Sequence, residues 1–264
     1  MADAMTASVE GASSTYYNPA GLAREDTARS TQILFTHRAW IEDTRVENLA
    51  GSVSLTGNQA VGFAVNSTTV GDIEIRTHPG EAEGTFTARN FAGTLSYARQ
   101  AGDDIWLGAS VKYLYEKILI DDASGIGIDL GVQYRTPLEN LSIGAMIANL
   151  GGMDALRSES SRLPTLARVG PAYSYRFGEG KYQALMAVDL LHLFSEGKTY
   201  TNVGGEIDFN RVIAVQLGYQ LGSEGRGLTA GFGVRYGIVG LQYAYAKLAE
   251  ELGNAHSFSV LLTF

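Results

Sequence analysis

The sequence contains no cysteine, only 5 prolines among 264 residues, and no long apolar run. The absence of cysteine excludes disulfides, thiolate catalysis and cysteine-based metal sites. No window of about 18 apolar residues exists, which excludes a transmembrane helix. The first ten residues have neither a basic start nor an apolar core, so we expect this chain to lack a leader peptide. Basic residues are also scarce, with 20 Lys and Arg against 28 Asp and Glu and a net charge of -8, and this excludes a nucleic-acid-binding protein.

Glycine and tyrosine are abundant instead, with 32 and 14 residues, and apolar and polar residues alternate through most of the chain. Leu228, Phe232 and Val234 share one parity, for example, while Thr229 and Arg235 share the other. Period two over about ten residues predicts strands with one apolar and one polar face. The pattern predicts about 14 strands, near residues 29–40, 45–56, 59–67, 85–99, 104–117, 124–135, 139–149, 163–177, 182–194, 198–209, 211–221, 227–236, 238–247 and 255–264.

The alternation fits two all-β classes. A soluble barrel or sandwich turns its apolar face inward, whereas a transmembrane barrel turns it towards lipid. The predicted strands are long enough to cross a bilayer at about 9–11 residues. Their connections are short at one end and mostly longer at the other, as in residues 67–84, 150–162 and 248–254, which is typical of membrane barrels. We therefore predict an all-β fold, a transmembrane antiparallel β-barrel of about 14 strands.

Tyrosine on the apolar face supports the membrane interpretation, because its ring is suited to the membrane–water boundary. Ten tyrosines have this parity: Tyr97, Tyr113, Tyr115, Tyr134, Tyr173, Tyr175, Tyr219, Tyr236, Tyr243 and Tyr245. Charged residues of both signs have the opposite parity, and we predict that they face the lumen: Lys112, Glu116, Asp129, Arg168, Asp189, Glu206, Asp208 and Arg235. Five apolar residues also have inward parity and are candidates for an apolar lumen: Leu114, Met146, Leu166, Leu185 and Leu191.

Residues 1–28 do not alternate, and they contain the turn-forming sequence Asn18, Pro19, Ala20 and Gly21. We expect a cross-lumen network of charges to anchor this segment, formed by Asp189 with Glu206 or Asp208, and Arg168, which lie on adjacent predicted strands. Residues 16–23, which read Tyr-Tyr-Asn-Pro-Ala-Gly-Leu-Ala, resemble the PorV/PorQ outer-membrane proteins, relatives of the FadL hydrophobic-compound transporters. Residues 252–256, Leu-Gly-Asn-Ala-His, and the aromatic Phe264 in the last strand are similar to that family too.

The resemblance implies a 14-stranded outer-membrane barrel in a diderm bacterium, with an N-terminal hatch inside the lumen. Residues 1–28 would form the hatch, truncated at its start, and residues 29–264 the barrel. Asn18, Pro19, Ala20 and Gly21 would be hatch-motif residues.

Two functions remain open from the sequence. One is a hatch-plugged barrel that accommodates or transports hydrophobic small molecules, with outer-membrane lipid around it. The other is a non-transporting partner barrel of a secretion or envelope protein complex, as in type IX secretion. An enzyme is not expected, since no nucleophile motif is present and His37, His78, His192 and His256 lack metal-ligand spacing. We expect no cofactor and no metal.

Overall fold

The computed structural model describes residues 1–24, 31–41, 43–55, 58–156, 159–223, 225–248 and 253–264. Its strands run in chain order as β1 (Thr31–Ala39), β2 (Thr44–Leu55), β3 (Gln59–Ile75), β4 (Gly84–Gln100), β5 (Ile105–Ile118), β6 (Asp121–Arg135), β7 (Leu141–Leu156), β8 (Glu159–Arg162), β9 (Leu166–Phe177), β10 (Tyr182–Leu193), β11 (Lys198–Phe209), β12 (Ile213–Leu221), β13 (Arg226–Tyr236), β14 (Val239–Leu248) and β15 (Asn254–Thr263).

The 15 strands form one antiparallel sheet in which neighbours along the chain are neighbours in space. The first and last barrel strands pair, with Phe35 opposite Val260, and so close the sheet on itself. Strand β8 pairs only with the end of β7, while β7 pairs with β6 and β9. The remaining 14 strands therefore form a closed barrel, which confirms the predicted fold class.

Apolar side chains face outward around this barrel, and small or polar ones face inward. Leu95 is 72% exposed and Tyr113 is 53% exposed on the outer face. On the inner face, Ser110 and Asp129 are each only 1% exposed. A continuous apolar outer face is stable against lipid and unfavourable against water, so the sense of the alternation is that of a membrane barrel. No helix in the described parts of the chain is long and apolar enough to span a bilayer.

Two predicted loops are wrong because they are mostly strand. Strands β3 and β4 continue pairing through the predicted loop 67–84, as far as Ile75 opposite Gly84. Strand β7 likewise extends to Leu156 before β8, inside the predicted loop 150–162, and β9 begins at Leu166 rather than at 163. Alternation fails in these segments because polar and glycine residues are mixed with apolar ones and a register shift interrupts the period, between Val70 and Ile73 in β3 and near Asn149 in β7. Ladder pairing nevertheless continues where the apolar signal ends. The wall is consequently uneven, with 17 residues in β4 and 9 in β12.

The described N-terminal segment, residues 1–24, lies inside the barrel, and we call it the hatch. Its regular structure is short: a 3-10 turn at Gly11–Ser13, a single helix, α1 (Ser14–Tyr17), and a second 3-10 turn at Pro19–Ala23. Small side chains pack it against the wall, as Ala4 and Ala7 do against Ala172 and Ala187. The predicted end of the hatch at residue 28 lies outside the described residues, as does Leu252 of the C-terminal similarity.

Candidate lumenal site

The Asn-Pro-Ala-Gly turn holds the middle of the hatch against the barrel wall by hydrogen bonds, and we call such polar contacts between hatch and wall fastenings. Asn18 is fully buried, and its Oδ1 accepts a hydrogen bond from the Ala20 N–H at 3.2 Å, which caps the 3-10 turn. Its Nδ2 donates to the carbonyl oxygens of Thr6 at 2.8 Å and of Val132 at 3.1 Å. One side chain therefore joins the turn, the start of the hatch and strand β6.

Glycines in the wall allow this turn to approach the strands. A Cβ at Gly131 would lie 2.0 Å from Asn18 Oδ1, and a Cβ at Gly108 would lie 2.3 Å from the carbonyl carbon of Pro19. Both distances are well inside van der Waals contact, so any side chain there would displace the turn. Gly108 of β5 and Gly131 of β6 thus allow close packing of the hatch.

Asp189 on β10 holds the first turn of the hatch. Its Oδ2 accepts hydrogen bonds from the backbone N–H of Met5 at 3.0 Å, from that of Thr6 at 2.9 Å and from the Thr6 hydroxyl at 2.6 Å. The carboxyl group is fully buried. The predicted network with Arg168, Glu206 and Asp208 is not formed here: within the described residues Asp189 makes no ion pair with Arg168 and no hydrogen bond with either acidic residue. The hatch takes the place of that network, because three of its donors converge on Oδ2, while the buried Oδ1 has no hydrogen-bond partner among the described residues.

We call the barrel end with the longer connections the loop side and the opposite end the turn side. A cluster of guanidinium groups surrounds Asp3 on the loop side of the hatch. Arg226 Nη1 lies 2.9 Å from Asp3 Oδ2, and the Tyr17 hydroxyl donates to Oδ1 at 3.1 Å. The predicted lumen residue Arg168 reaches the Asp3 carbonyl oxygen from Nη1 at 3.4 Å. Burial alone would raise the pKa of the Asp3 carboxyl, but the guanidinium charges of Arg226, Arg168 and Arg38 outweigh it and lower the pKa below its usual value.

Each of the two tryptophans stacks with arginine at one end of the lumen. At the loop side, the Arg226 guanidinium lies 4.8 Å from the Trp40 ring centroid and that of Arg38 lies 5.6 Å away. At the turn side, the Arg24 guanidinium lies 5.6 Å from the ring of the buried Trp106. These cation–π contacts fix the arginines that bind both ends of the hatch.

The turn-side end of the hatch is fastened through Arg24 and Gln133. Arg24 Nη2 donates to the Ser142 hydroxyl at 2.8 Å, and its Nη1 donates to Gln133 Oε1 at 3.3 Å. Gln133 is fully buried and donates from Nε2 to the carbonyl oxygens of Thr6 and Val9, both at 3.1 Å. The hatch is therefore held at both ends and in its middle by polar bonds to the wall.

Lys112 and Asp129 form a separate ion pair on the loop side of the hatch motif. Their Nζ and Oδ2 atoms lie 2.6 Å apart, and Asp129 is only 1% exposed. Asp129 Oδ1 also accepts the Asn149 N–H at 2.8 Å, at the point where the β6–β7 register shifts. Asn149 in turn accepts from Lys112 at 3.0 Å and donates to the Pro164 carbonyl oxygen at 3.1 Å, so the pair also positions the connection before β9.

The other predicted lumen charges lie on inward positions without forming part of these fastenings. Glu116 lies near the loop end of β5, opposite Ala123. Glu206 accepts a hydrogen bond from Gln216 Nε2. Asp208 and Arg235 line a shallow depression at the turn end of the barrel. The structure therefore divides the predicted charges between hatch contacts and the lumen ends.

The five candidate apolar residues lie on four neighbouring or nearby strands: Leu114 on β5, Met146 on β7, Leu166 on β9, and Leu185 and Leu191 on β10. Leu185 packs against the alanine cluster of the hatch. Leu166 lies opposite Ala148, and Met146 and Leu191 both lie opposite Arg168. Three of the five therefore lie around one arginine on the loop side of the hatch.

A cavity of about 110 Å³ lies on the other side of the lumen, between α1 and strands β1 to β3. Its walls combine apolar and polar groups: Ala12, Ser13, Thr15, Tyr16, Tyr17, Leu34, Thr36, Arg38, Val46, Asn48, Ala50 and Asn66. Tyr16 is 55% exposed despite lying within the barrel. This combination, an aromatic hatch surface with a few fixed polar groups, is typical of a small-molecule pocket.

Several residues of the site do not follow from charge and parity. Gln133, Asn202 and Gln220 have inward parity but no charge, and the last two share a buried hydrogen bond of 2.9 Å. Trp40 lies beyond the last alternating residues of β1, and Asn149 lies at an irregularity that no periodic pattern can mark. Inward amides indicate hatch and lumen contacts as inward charges do, since a buried amide also needs hydrogen-bond partners.

Comparison with known proteins identifies the fold. No protein-family model matches the sequence, and no curated relative matches it. Among solved structures, the Pseudomonas putida toluene transporter TodX is similar at a TM-score of 0.66 and 12% identity, covering 100% of this chain and 96% of TodX. The Ralstonia pickettii toluene transporter TbuX is similar at 0.63 and 13%, covering 98% and 95% of the two chains.

A Pseudomonas aeruginosa FadL homologue is similar at a TM-score of 0.60 and 11% identity, covering 99% of this chain and 95% of that protein. The similarity thus extends over the whole length of FadL-type hydrophobic-compound transporters. None of these comparisons singles out the PorV/PorQ proteins. At this level of identity, the fold of this chain is that of the FadL-type outer-membrane barrels.

Proposed function

We propose that this protein is an outer-membrane barrel that binds small hydrophobic molecules beside its hatch and passes them across the membrane. The observation that carries the proposal is the cavity at α1, where Tyr16 and Tyr17 face Leu34 and Val46. An apolar cavity of about 150 Å³ is enough to bind benzene. The cavity of about 110 Å³ is smaller than this, so a molecule of one aromatic ring enters only when the exposed Tyr16 moves to enlarge it.

The fold supports this proposal. The toluene transporters TodX and TbuX share it, and their ligand is a single-ring hydrocarbon. The polar fastenings of the hatch support it as well, because a lumen closed by specific hydrogen bonds is not an open diffusion pore. The aromatic surface of α1 lies on a part of the hatch that makes no such fastening other than Tyr17 to Asp3.

The test fills the cavity and compares a matched substitution on the lipid face. Val46→Trp places an indole in the cavity from β2, and Val53→Trp places the same group on the outward face of the same strand, where Val53 is 39% exposed. The measurement is the initial rate of radiolabelled toluene uptake by intact diderm cells that lack other hydrophobic-compound channels. We expect Val46→Trp to lower the protein-dependent rate by about tenfold, since the side chain occupies the ligand volume. Val53→Trp should leave it unchanged.

A partner barrel in an envelope complex is the second candidate, and one feature favours it. Strands β3 and β4 each have 17 residues and extend beyond their neighbours, which gives a projecting hairpin able to meet another protein. The same experiment separates the two functions. If the wild-type protein does not raise toluene uptake above that of cells without it, the transport proposal is overturned and the partner role is favoured.

A further inference from the structure

A row of cationic side chains crosses the outer face of strands β2 to β5, at the height where β2 and β5 end on the loop side. Arg45 lies opposite Thr69, Thr69 opposite Arg89, and Arg89 opposite Lys117. Residues directly opposite one another in a sheet share a face. At about 4.8 Å per strand, the row extends about 14 Å from Arg45 to Lys117.

This face is the lipid face. Leu49, Leu95 and Tyr113 have the same parity on these strands as the cations, and they are 42%, 72% and 53% exposed. Leu49 and Tyr113 lie closer to the middle of their strands than Arg45 and Lys117 do, and in β4 the exposed Phe91 and Leu95 lie on the turn side of Arg89. The cations therefore begin where the apolar band ends, at the height at which lipid headgroups meet the barrel.

The three side chains are exposed and lack carboxylate partners. Across the described residues, none of Arg45, Arg89 and Lys117 forms an ion pair. Two carboxylates share their face: Asp122 lies opposite Lys117, and Glu47, two residues from Arg45, pairs instead with His37 at 2.7 Å. Strands β9 to β12, all of whose residues are described, carry no Lys or Arg of outward parity. Because the chain has a net charge of -8, a cationic row on one side of the barrel does not follow from its overall composition.

We propose that Arg45, Arg89 and Lys117 bind the phosphate groups of an outer-leaflet glycolipid of the lipid A type, a disaccharide with two phosphates and several acyl chains. Guanidinium groups bind phosphate in two-point geometry, and the adjacent apolar band accommodates the acyl chains. The Thr69 hydroxyl lies between the cations and can donate a further hydrogen bond. The inference rests on the outer-membrane location in the proposed function, with the loop side facing outward.

The test uses the full chain in phosphatidylcholine nanodiscs containing increasing amounts of bisphosphorylated lipid A. Native mass spectrometry counts the lipid A molecules bound to the wild type, to the triple variant Arg45→Gln/Arg89→Gln/Lys117→Gln, and to Arg99→Gln. Arg99 is the matched control, because it is exposed on the same face of β4 at the turn end. We expect about 100-fold weaker lipid A binding in the triple variant, from three juxtamembrane cations. Arg99→Gln should bind as the wild type does.

Two further arms identify the ligand. Lipid A without phosphates should bind the wild type no better than it binds the triple variant, and millimolar inorganic phosphate should not displace lipid A from the wild type. Equal lipid A binding by wild type and triple variant overturns the inference. So does equal binding of the phosphate-free lipid, or displacement by free phosphate, which would indicate an anion site independent of the membrane.

Failure of the cationic-row inference is distinguishable from failure of the proposed transport function. Unheated gel electrophoresis verifies that each variant remains a folded barrel, and toluene uptake is measured on the same variants. A wild type that passes toluene but shows no lipid A preference contradicts only the cationic-row inference. A wild type that never inserts into the nanodisc contradicts the membrane location on which both depend.

Discussion

Asp189 shows at the scale of one residue how the lumen holds the hatch. Its single Oδ2 atom accepts from Met5, from the Thr6 backbone and from the Thr6 hydroxyl, at 2.6 to 3.0 Å. Water cannot replace these hydrogen bonds, since Asp189 and Thr6 are both fully buried. The hatch therefore depends on this carboxylate more than on any exposed charge of the barrel.

Replacement of Asp189 by Ala should destabilise the folded protein by about 3 kcal/mol, because it leaves buried donors without an acceptor. The measurement is the free energy of unfolding in detergent from a urea titration. Asp103→Ala, at an exposed turn, is the control and should change it by less than about 0.5 kcal/mol. If Asp189→Ala unfolds at the same urea concentration as the control, Asp189 does not hold the hatch.

Asp3 gives a prediction about pH. Its pKa in the folded protein lies below the usual 3.8, because nearby guanidinium charges outweigh the effect of burial. A carboxyl with a lowered folded pKa stabilises the protein fully above its unfolded pKa, and this stabilisation is lost as the pH falls through the folded value. The melting temperature of the wild type should therefore exceed that of Asp3→Asn by a constant margin between about pH 5 and pH 8, and the margin should shrink below pH 3.8.

The matched control is Asp122→Asn, since Asp122 is exposed on β6. It should show a small difference from the wild type with no comparable loss below pH 3.8. A wild-type advantage over Asp3→Asn that grows as the pH falls would have the wrong sign, and it would show that Asp3 is not stabilised by the arginines around it.

At the scale of the element, the sequence predicts the strands where lipid imposes alternation, and fails where lipid ends. Strand β5 is predicted as 104–117 and observed as Ile105–Ile118, because every second side chain there must be apolar. The part of β3 beyond residue 67 is missed because Thr68 and Thr69 follow no apolar pattern although their backbones pair with Asn90 and Arg89 of the correctly predicted β4. Ladder hydrogen bonds are made by the backbone, so they continue without any side-chain signal.

The hatch is predictable only in part for a related reason. The Asn-Pro-Ala-Gly turn is visible because Asn18 and Pro19 have strong local preferences, and the structure places a capped 3-10 turn there. Its partners are not visible, because Gly108, Gly131 and Gln133 are distant in sequence and carry no charge. The parity of Asp189 indicates an inward position, but the identity of its partners depends on how the non-periodic residues 1–24 fold inside the lumen.

At the scale of the whole molecule, the composition follows from a barrel whose two faces have opposite polarity. Outward apolar and inward polar residues average to a mean hydropathy of -0.02, close to that of a soluble protein. Glycine is frequent because inward positions must admit the hatch, and tyrosine is frequent on the outward face. The net charge of -8 hides a local excess of cations on β2 to β5, which composition alone cannot reveal.

We propose that residues 1–24 close the lumen of this membrane barrel. The most direct measurement is the steady ion conductance of the unmodified protein in a planar lipid bilayer. A lumen fastened at Asp3, Asn18, Asp189 and Arg24 should insert without producing a stable open channel. A steady conductance of the size shown by open porins would contradict the proposed closure, because it would mean that the hatch does not fill the barrel.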